Sequence, residues 1–230
     1  MSTQNSIVKE LETAVARTHQ VGNQGKVLDI IQYPDPRLRE VSTPVLQDIL
    51  DPTLQAFLQD MVTTMNHWRA LGLAAVQVGV LSRILVVRDN DGSPVVAINP
   101  VIVDSDGEVL LNEGCLSFPG LFLNVRRPAD VTVQYFDAGG VRRTSMADKM
   151  LGRSLLHEMG HLDGELFIDL VPKILRSQVL KKYEVQLGKL ETLQKKVATL
   201  KANVGKSKYV KKTKAERQKE KKKRAAGKKR

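Results

Sequence analysis

The chain has 230 residues, of which 42% are hydrophobic, so it can bury a sizeable core in one domain. Its single cysteine excludes an intrachain disulfide and favours a reducing compartment, and it has no apolar stretch of about 18 residues that would indicate a membrane span, so we expect a cytoplasmic protein. The net charge of +11 is concentrated in residues 205–230, which hold 14 Lys or Arg and two Glu, and the rest of the chain is close to neutral.

The first part of the chain, residues 1–26, is polar and weakly patterned, and it lacks the apolar core of a signal peptide. We interpret it as an N-terminal extension. Val27–Ile31 is a short apolar run that predicts a strand. The two prolines in Tyr33-Pro-Asp-Pro-Arg predict a turn or loop after that strand.

The next predicted element is a helix. Asp51 is a suitable N-cap, and Pro52 fits the first helical position, where its missing N–H costs nothing. From Leu54 to Trp68 the apolar side chains recur with helical spacing. The helix is predicted to end near Ala70–Gly72.

Between Arg83 and Ala147 the pattern changes to short, apolar or β-branched segments separated by Gly, Pro, Asp and Asn. Segments this close in sequence favour antiparallel sheets over βαβ units. A hairpin turn is predicted at 137–140. The predicted strands are Ile84–Val87, Val95–Ile98, Val101–Val103, Val109–Leu111, Val131–Phe136 and Val141–Met146.

A second helix, predicted at Lys149–Leu162, carries the sequence His157-Glu158-x-x-His161. Residues four apart share one face of a helix, so both imidazoles can bind one metal ion. Glu158 lies beside them, where its carboxylate can accept a proton from water activated by that metal. The pattern also arises by chance in helices, and a hydrolytic metal site usually needs a third protein ligand.

The only cysteine, Cys115, is a candidate for that third ligand, because a thiolate binds Zn²⁺ or Fe²⁺ strongly. A lone cysteine is more often a small buried residue. The segment Leu71–Gly79 is small and apolar except for Gln77, whose amide can donate a hydrogen bond to an oxyanion or a peptide carbonyl. The alternative for this segment is a tightly packed loop.

Taken together, three segments resemble motifs of the peptide deformylase family, and they occur in the family's order. Ala70–Gln77 resembles GxGLAAxQ, Glu113–Ser117 matches EGCLS, and His157–His161 resembles HExDH. The resemblance extends from Val27 to about Leu190. It implies an α+β fold, with antiparallel β-sheets around a central metal-binding helix and a C-terminal helix.

The resemblance also implies an activity, namely hydrolytic removal of the formyl group from the N-terminal formyl-methionine of newly synthesised polypeptides, with release of formate. The implied cofactor is Fe²⁺, with Zn²⁺ or Ni²⁺ as possible substitutes. Glu158 would transfer the proton, and the Gln77 amide and the Leu116 backbone N–H would stabilise the oxyanion. The implied metal ligands are Cys115, His157 and His161, and the expected substrate-binding residues are Gly72, Arg127 at the rim of the peptide groove, and Leu155 in the methionine pocket.

Two positions depart from the family motifs. Ala70 replaces the first glycine of GxGLAAxQ, and Gly160 replaces the aspartate of HExDH, which we expect to pair with a basic residue such as Arg127. Activity is still expected, because the metal ligands, the base and the oxyanion donors are all present. The alternatives are a metallopeptidase built on HExxH, or a catalytically weakened relative that binds the ribosome or RNA.

The predicted organisation is a catalytic domain at 27–172, a C-terminal helix at 173–204 and a basic, disordered tail at 205–230. The apolar residues of the helix fit docking on the body or a short coiled coil. The tail is predicted to bind RNA phosphates, with ribosomal RNA as the expected partner; the alternatives are a solubilising segment or a nuclear-type address. We expect a monomer that does not bind membranes.

Overall fold

The computed structural model describes residues 19–20 and 25–226, so most of the predicted N-terminal extension lies outside the described residues. The chain divides into two compact units, Met1–Arg176 and Ser177–Arg230. The strands are β1 (His19–Gln20), β2 (Lys26–Val27), β3 (Gly72–Ala74), β4 (Ile84–Arg88), β5 (Pro94–Asp106), β6 (Val109–Cys115), β7 (Phe118–Arg127), β8 (Asp130–Phe136) and β9 (Arg142–Asp148). The α-helices are α1 (Pro52–His67), α2 (Lys149–Leu162) and α3 (Lys173–Ala226), and 3₁₀ turns lie at Pro36–Arg39, Ala75–Val78 and Phe167–Leu170.

Helix α1 begins as the sequence predicts. The Asp51 carboxylate accepts hydrogen bonds from the backbone N–H groups of Thr53 and Leu54, and Pro52 occupies the first turn. These contacts satisfy N–H groups that the first turn of a helix leaves without partners. The buried face of α1 packs into one hydrophobic cluster with the sheet described next.

Strands β3, β4, β5, β8 and β9 form a five-stranded antiparallel sheet in the order β3-β4-β5-β8-β9. Alternate side chains of β4 point to opposite faces of this sheet. Ile84 and Val86 pack in the cluster that contains α1, whereas Leu85 and Val87 pack in the cluster that contains α2. The sheet is therefore buried between two helices, and the predicted antiparallel α+β arrangement around a central helix is confirmed.

Strand β5 joins two strands that the sequence predicts separately. The break was expected at Asn99-Pro100, because proline cannot donate to a sheet ladder. In the structure Asn99 takes a positive φ of 51°, and the register shifts between Ile98 and Val101. This bulge accommodates both residues, so the strand bends and continues to Asp106.

Strands β6 and β7 form a separate two-stranded antiparallel sheet. The sequence predicts only the first half of β6 and does not predict β7, where Pro119 and Gly120 obscure the pattern. The predicted strand at Val27–Ile31 is mostly wrong. Only its first residue is in a strand, and the Ile31 N–H instead donates to the Gln77 carbonyl, 2.7 Å away.

The C-terminal unit contains most of α3, which runs from Lys173 to Ala226. The sequence predicts that this helix ends at Val204 and that a disordered tail follows. The structure instead continues the helix, because the segment is rich in Lys, Arg, Glu, Gln and Ala, which favour helix, and contains no proline. Residues 227–230 lie outside the described residues. No helix in the described part of the chain is long and apolar enough to span a bilayer.

Candidate metal centre and substrate cavity

Three candidate metal ligands meet where the end of β6 approaches α2. The donor atoms of Cys115, His157 and His161 all lie within 4.8 Å of one another. The Cys115 Sγ atom is 3.2 Å from His161 Nε2. Both histidines are buried and lie one helical turn apart, as the sequence predicts. The structure therefore brings the Cys115 thiol together with two imidazoles that lie more than 40 residues later in the chain.

Glu113 fixes the orientation of His157. Its Oε2 atom lies 2.9 Å from His157 Nδ1, which leaves the Nε2 atom of the ring for a metal. Arg127 grips the same carboxylate through two hydrogen bonds, of 2.7 Å from Nε and 3.0 Å from Nη2. Burial alone would raise the pKa of Glu113, but the hydrogen bonds from His157 and Arg127 lower it to about 2.

The position of Arg127 corrects the prediction that it lies at the rim of the peptide groove. It is buried beneath the site, with Nη1 donating to the Leu156 carbonyl at 3.1 Å. Strand β7 alternates its side chains between solvent and interior, and Arg127 is an interior position of that strand. Its role in this structure is to hold Glu113.

Arg153 is a functional-site residue that the sequence interpretation missed. It is buried, lines the cavity and donates through Nη2 to the carbonyls of Leu111 and Val125, at 2.9 and 2.6 Å. Its Nε atom is 2.9 Å from Glu113 Oε1, an ion pair without hydrogen-bond geometry. The sequence spacing could have identified it, because Arg153 lies four residues before His157 and so shares its helical face.

Gln77 lies beside the thiol, as expected. Its Oε1 atom accepts a hydrogen bond from the Ala74 N–H at 2.8 Å, which fixes the amide. Its Nε2 atom then points to the Ser117 hydroxyl at 3.2 Å and to Cys115 Sγ at 3.5 Å. Leu116 follows Cys115 directly and lines the same cavity. The two expected oxyanion donors are therefore both close to the candidate metal ligands.

Glu158 is buried next to the ligands, and its Oε2 atom has no hydrogen-bond partner among the described residues. Burial raises the pKa of this carboxyl to about 7. Gly72 provides the space that Glu158 occupies, because a Cβ atom at this position would lie 2.6 Å from Glu158 Oε1 and 2.8 Å from the Ser154 hydroxyl. Gly72 also pairs with Val87 in the sheet.

The pKa values of the two histidines are shifted in opposite directions. Burial works to lower the pKa of His157, but its contacts with the Cys115 thiol and the Glu113 carboxylate raise it to about 10. Burial, together with the charge of His157, holds the pKa of His161 well below its usual range. A divalent cation fits this donor set of a thiol and two imidazoles.

Gln77, Cys115, His157 and Glu158 line the inner end of a cavity of about 710 Å³. Its mouth is mainly apolar, with Trp68, Leu71 and Met150, which are about half exposed, and Phe122, which is 65% exposed. The prediction that Leu155 lines the methionine pocket is wrong. Leu155 is buried in the cluster between α2 and the sheet, because the cavity takes a different face of the helix. That face presents Met150, Arg153, Ser154, His157 and Glu158.

Residues 27–177, more than half of the chain, match the family model for polypeptide deformylase. The chain belongs to the polypeptide deformylase family.

Relatives with known names support this assignment. The chain is 42% identical over 159 residues to peptide deformylase 2 of Xanthomonas campestris, an alignment that covers 68% of this chain and 94% of the relative. It is also 42% identical over 162 residues to the peptide deformylase of Bartonella tribocorum, with 67% and 90% covered.

Solved structures of deformylases have the same fold. The crystal structure of peptide deformylase from Ehrlichia chaffeensis is 38% identical, with a TM-score of 0.66 and coverage of 71% of this chain and 98% of that one. A structure of the same organism's peptide deformylase in complex with actinonin is 39% identical, with a TM-score of 0.65 and coverage of 70% and 97%.

The two departures from the deformylase motifs, Gly160 and Ala70, have different surroundings in the structure. A Cβ atom at Gly160 would lie 3.4 Å from the Glu165 carbonyl oxygen and 3.9 Å from its Oε2 atom. An aspartate there would thus face Glu165 and not Arg127, contrary to our expectation. Arg127 is already engaged by Glu113. The other departure, Ala70, lines the cavity, and its carbonyl accepts a hydrogen bond from Arg88.

Proposed function

We propose that this deformylase removes the formyl group from the N-terminal formyl-methionine of newly synthesised polypeptides and releases formate. The proposal rests mainly on one observation: Cys115, His157 and His161 converge, and Cys115 and His157 line one cavity together with the buried carboxylate of Glu158. Membership of a metal-dependent hydrolase family supports it.

Cys115, His157 and His161 would hold the metal, and the bound ion would supply a Lewis acid that activates water and polarises the formyl carbonyl. A thiolate with two imidazoles accepts Fe²⁺, Zn²⁺ or Ni²⁺. We propose Fe²⁺ as the resident ion, following the family resemblance. Metal analysis of the purified protein, with activity compared between iron and zinc forms, tests this choice.

Glu158 accepts a proton from the attacking water and later delivers it to the departing amine of methionine. Its position beside His157, on the face of α2 that lines the cavity, supports this role. Gln77 Nε2 and the Leu116 backbone N–H donate hydrogen bonds to the oxyanion that develops on the formyl oxygen. Gln77 is suited to this task because Ala74 fixes its amide orientation.

The substrate main chain pairs with the outer edge of β3, which is the end strand of the five-stranded sheet. Gly72 supplies this pairing surface at the inner end of the cavity. The methionine side chain packs against the apolar mouth. Its pocket there is lined by Trp68, Leu71 and Met150, and not by Leu155.

The direct test is formate release from a short formyl-methionine peptide by the iron-loaded protein. A metallopeptidase would instead cleave internal bonds of unformylated peptides, so both products are measured in parallel. A weakened relative would release no formate. Bound metal is measured in the same samples, and its loss in Cys115→Ala, with retention in Ser105→Ala as a control at an exposed position, supports the ligand assignment.

We also propose that α3 and residues 205–230 contact ribosomal RNA. Residues 205–230 alone hold 14 Lys or Arg against two Glu, which suits a polyanion, and such binding weakens steeply with salt. Cosedimentation with ribosomes, compared between about 50 and 200 mM salt, tests the contact. Replacing Lys221, Lys222, Lys223 and Arg224 with Gln is expected to weaken it, and salt-independent binding would contradict it.

The protein is further proposed to act as a monomer in the cytoplasm. A reducing compartment suits an enzyme whose only cysteine must remain a free thiol to bind its metal. Sedimentation of the metal-loaded protein tests the oligomeric state, and fractionation of the cells that produce it tests the location.

A further inference from the structure

Arg69 lies at the mouth of the cavity, between the end of α1 and the start of β3. It differs from the other charged residues on the lining. Glu113, Arg153, His157 and Glu158 are all buried, whereas Arg69 is exposed. Within the described part of the chain, Arg69 is thus the charged lining residue that meets solvent and any substrate segment leaving the cavity.

The guanidinium of Arg69 makes no ion pair or hydrogen bond within the described residues, although neighbouring arginines do. Arg88 donates to the Ala70 carbonyl at 3.0 Å and to Asn66 at 2.8 Å. Arg153 and Arg127 flank the Glu113 carboxylate. The positive charge of Arg69 is therefore available to a ligand.

The backbone of Arg69 also sets it apart. It follows the last turn of α1 with a φ of 52°, in the left-handed region that Gly or Asn usually occupies at helix ends. Its N–H donates to the Asn66 carbonyl at 3.1 Å, so the conformation terminates the helix. An arginine there carries a conformational cost that a glycine would avoid, which points to a role for its side chain.

We propose that Arg69 is a specificity residue that favours substrates with Asp or Glu in the positions just after methionine. This inference rests on the proposed function. The formyl group occupies the inner end and methionine the apolar mouth, so the following residues leave past Arg69. The formylated N-terminus carries no charge, so charge on this part of the substrate comes from those side chains.

The expected preference is modest because the contact is exposed to solvent. Exposed ion pairs of this kind change equilibria by about two- to fivefold, and salt screens them. The preference should appear in kcat/KM for charged peptides and leave kcat for a neutral peptide unchanged. It should also shrink at high ionic strength.

The test compares three amidated peptides, formyl-Met-Ala-Asp, formyl-Met-Ala-Ser and formyl-Met-Ala-Lys. Amidation removes the terminal carboxylate, which would otherwise also attract Arg69. Wild-type protein should prefer the Asp peptide over the Lys peptide by about two- to fivefold. Arg69→Asn, which tolerates the positive φ, should reduce this ratio to about one, and Arg69→Glu should invert it.

The matched control is Arg126→Asn. Arg126 is an exposed arginine that pairs with Glu108 and lies outside the cavity lining, so its removal should leave the ratio unchanged. An unchanged ratio in Arg69→Asn, or an equal loss for all three peptides, would overturn the specificity role. No formate from any peptide would overturn the proposed function itself, and this inference with it.

Discussion

At the inner end of the cavity, Glu113 is buried and bound by both Arg127 and His157. At the mouth, Trp68 and Met150 are 52% and 51% exposed and make no such network. A group held by buried hydrogen bonds keeps one geometry, whereas an exposed apolar rim can adapt to different side chains. We therefore expect the inner end to position the reacting groups and the mouth to select the substrate, so substitutions at the two ends should affect different kinetic constants.

After substitution of Glu158 itself, the largest effect is expected from Gly72→Ala. The added methyl group would lie 2.6 Å from Glu158 Oε1, so the carboxylate must move. A displacement of about 1 Å in a catalytic group can cost on the order of 100-fold, so kcat should fall by about that factor. Gly188→Ala, at a position with open space around it, is the control and should behave like wild type. Unchanged kcat in Gly72→Ala would contradict the placement of Glu158.

Glu113→Gln comes next. A neutral amide leaves the buried Arg127 without its charge partner and holds His157 less well, so metal affinity should fall by about 10- to 100-fold. Competition with a chelator measures this loss. Glu108→Gln removes a carboxylate from an exposed ion pair near the same hairpin and should leave the affinity unchanged. Equal metal affinities in the two variants would contradict the expectation that the buried Glu113 pair, and not the exposed Glu108 pair, supports metal binding.

Met150→Ala tests the mouth. Because Met150 lines the cavity and contacts solvent with half its surface, its truncation should remove apolar contact with the substrate methionine and raise KM by about tenfold or less, with kcat kept. Met146→Ala, at an exposed methionine outside the cavity lining, provides the control. A fall in kcat in place of a rise in KM would show that the mouth also positions the reacting groups.

The smallest effect is expected from Gly160→Asp, which restores the family motif. The new side chain would point toward Glu165 and not toward the Glu113 network, so it should not disturb the metal ligands. The small gain from replacing a glycine inside a helix should be offset by repulsion between the new carboxylate and Glu165, and by the negative end of the helix dipole. Activity within about threefold of wild type is expected from steady-state formate release. A loss greater than tenfold would indicate that Gly160 serves the inner end directly.

The sequence predicted the elements with strong local signals. Helix α1 begins at its Asp51-Pro52 cap, and the metal-binding helix has the predicted bounds, Lys149–Leu162. Strand β7 lacked such a signal at Pro119 and Gly120. The end of α3 was misplaced because a high charge was interpreted as disorder, although the same residues favour helix.

The convergence of Cys115, His157, His161 and Glu158 could be predicted because each residue belongs to a motif with a chemical requirement. Arg127 could not be placed, because its partner Glu113 lies across a hairpin, and pairing of this kind depends on strand register. Leu155 was assigned to the wrong face, although His157 and His161 fix which face of α2 lines the cavity. The available space beside Gly72 depends on two distant elements and has no local sequence signal.

The proposal that Glu158 is the catalytic base, and that other residues hold the metal, is tested most directly by Glu158→Gln. Both kcat for formate release and bound metal are measured on the same sample. Because this substitution removes only the proton acceptor, kcat should fall by about 10²- to 10⁴-fold while the metal content stays at the wild-type level. A variant that keeps its metal and releases formate at the wild-type rate would contradict the assignment of Glu158 as the catalytic base.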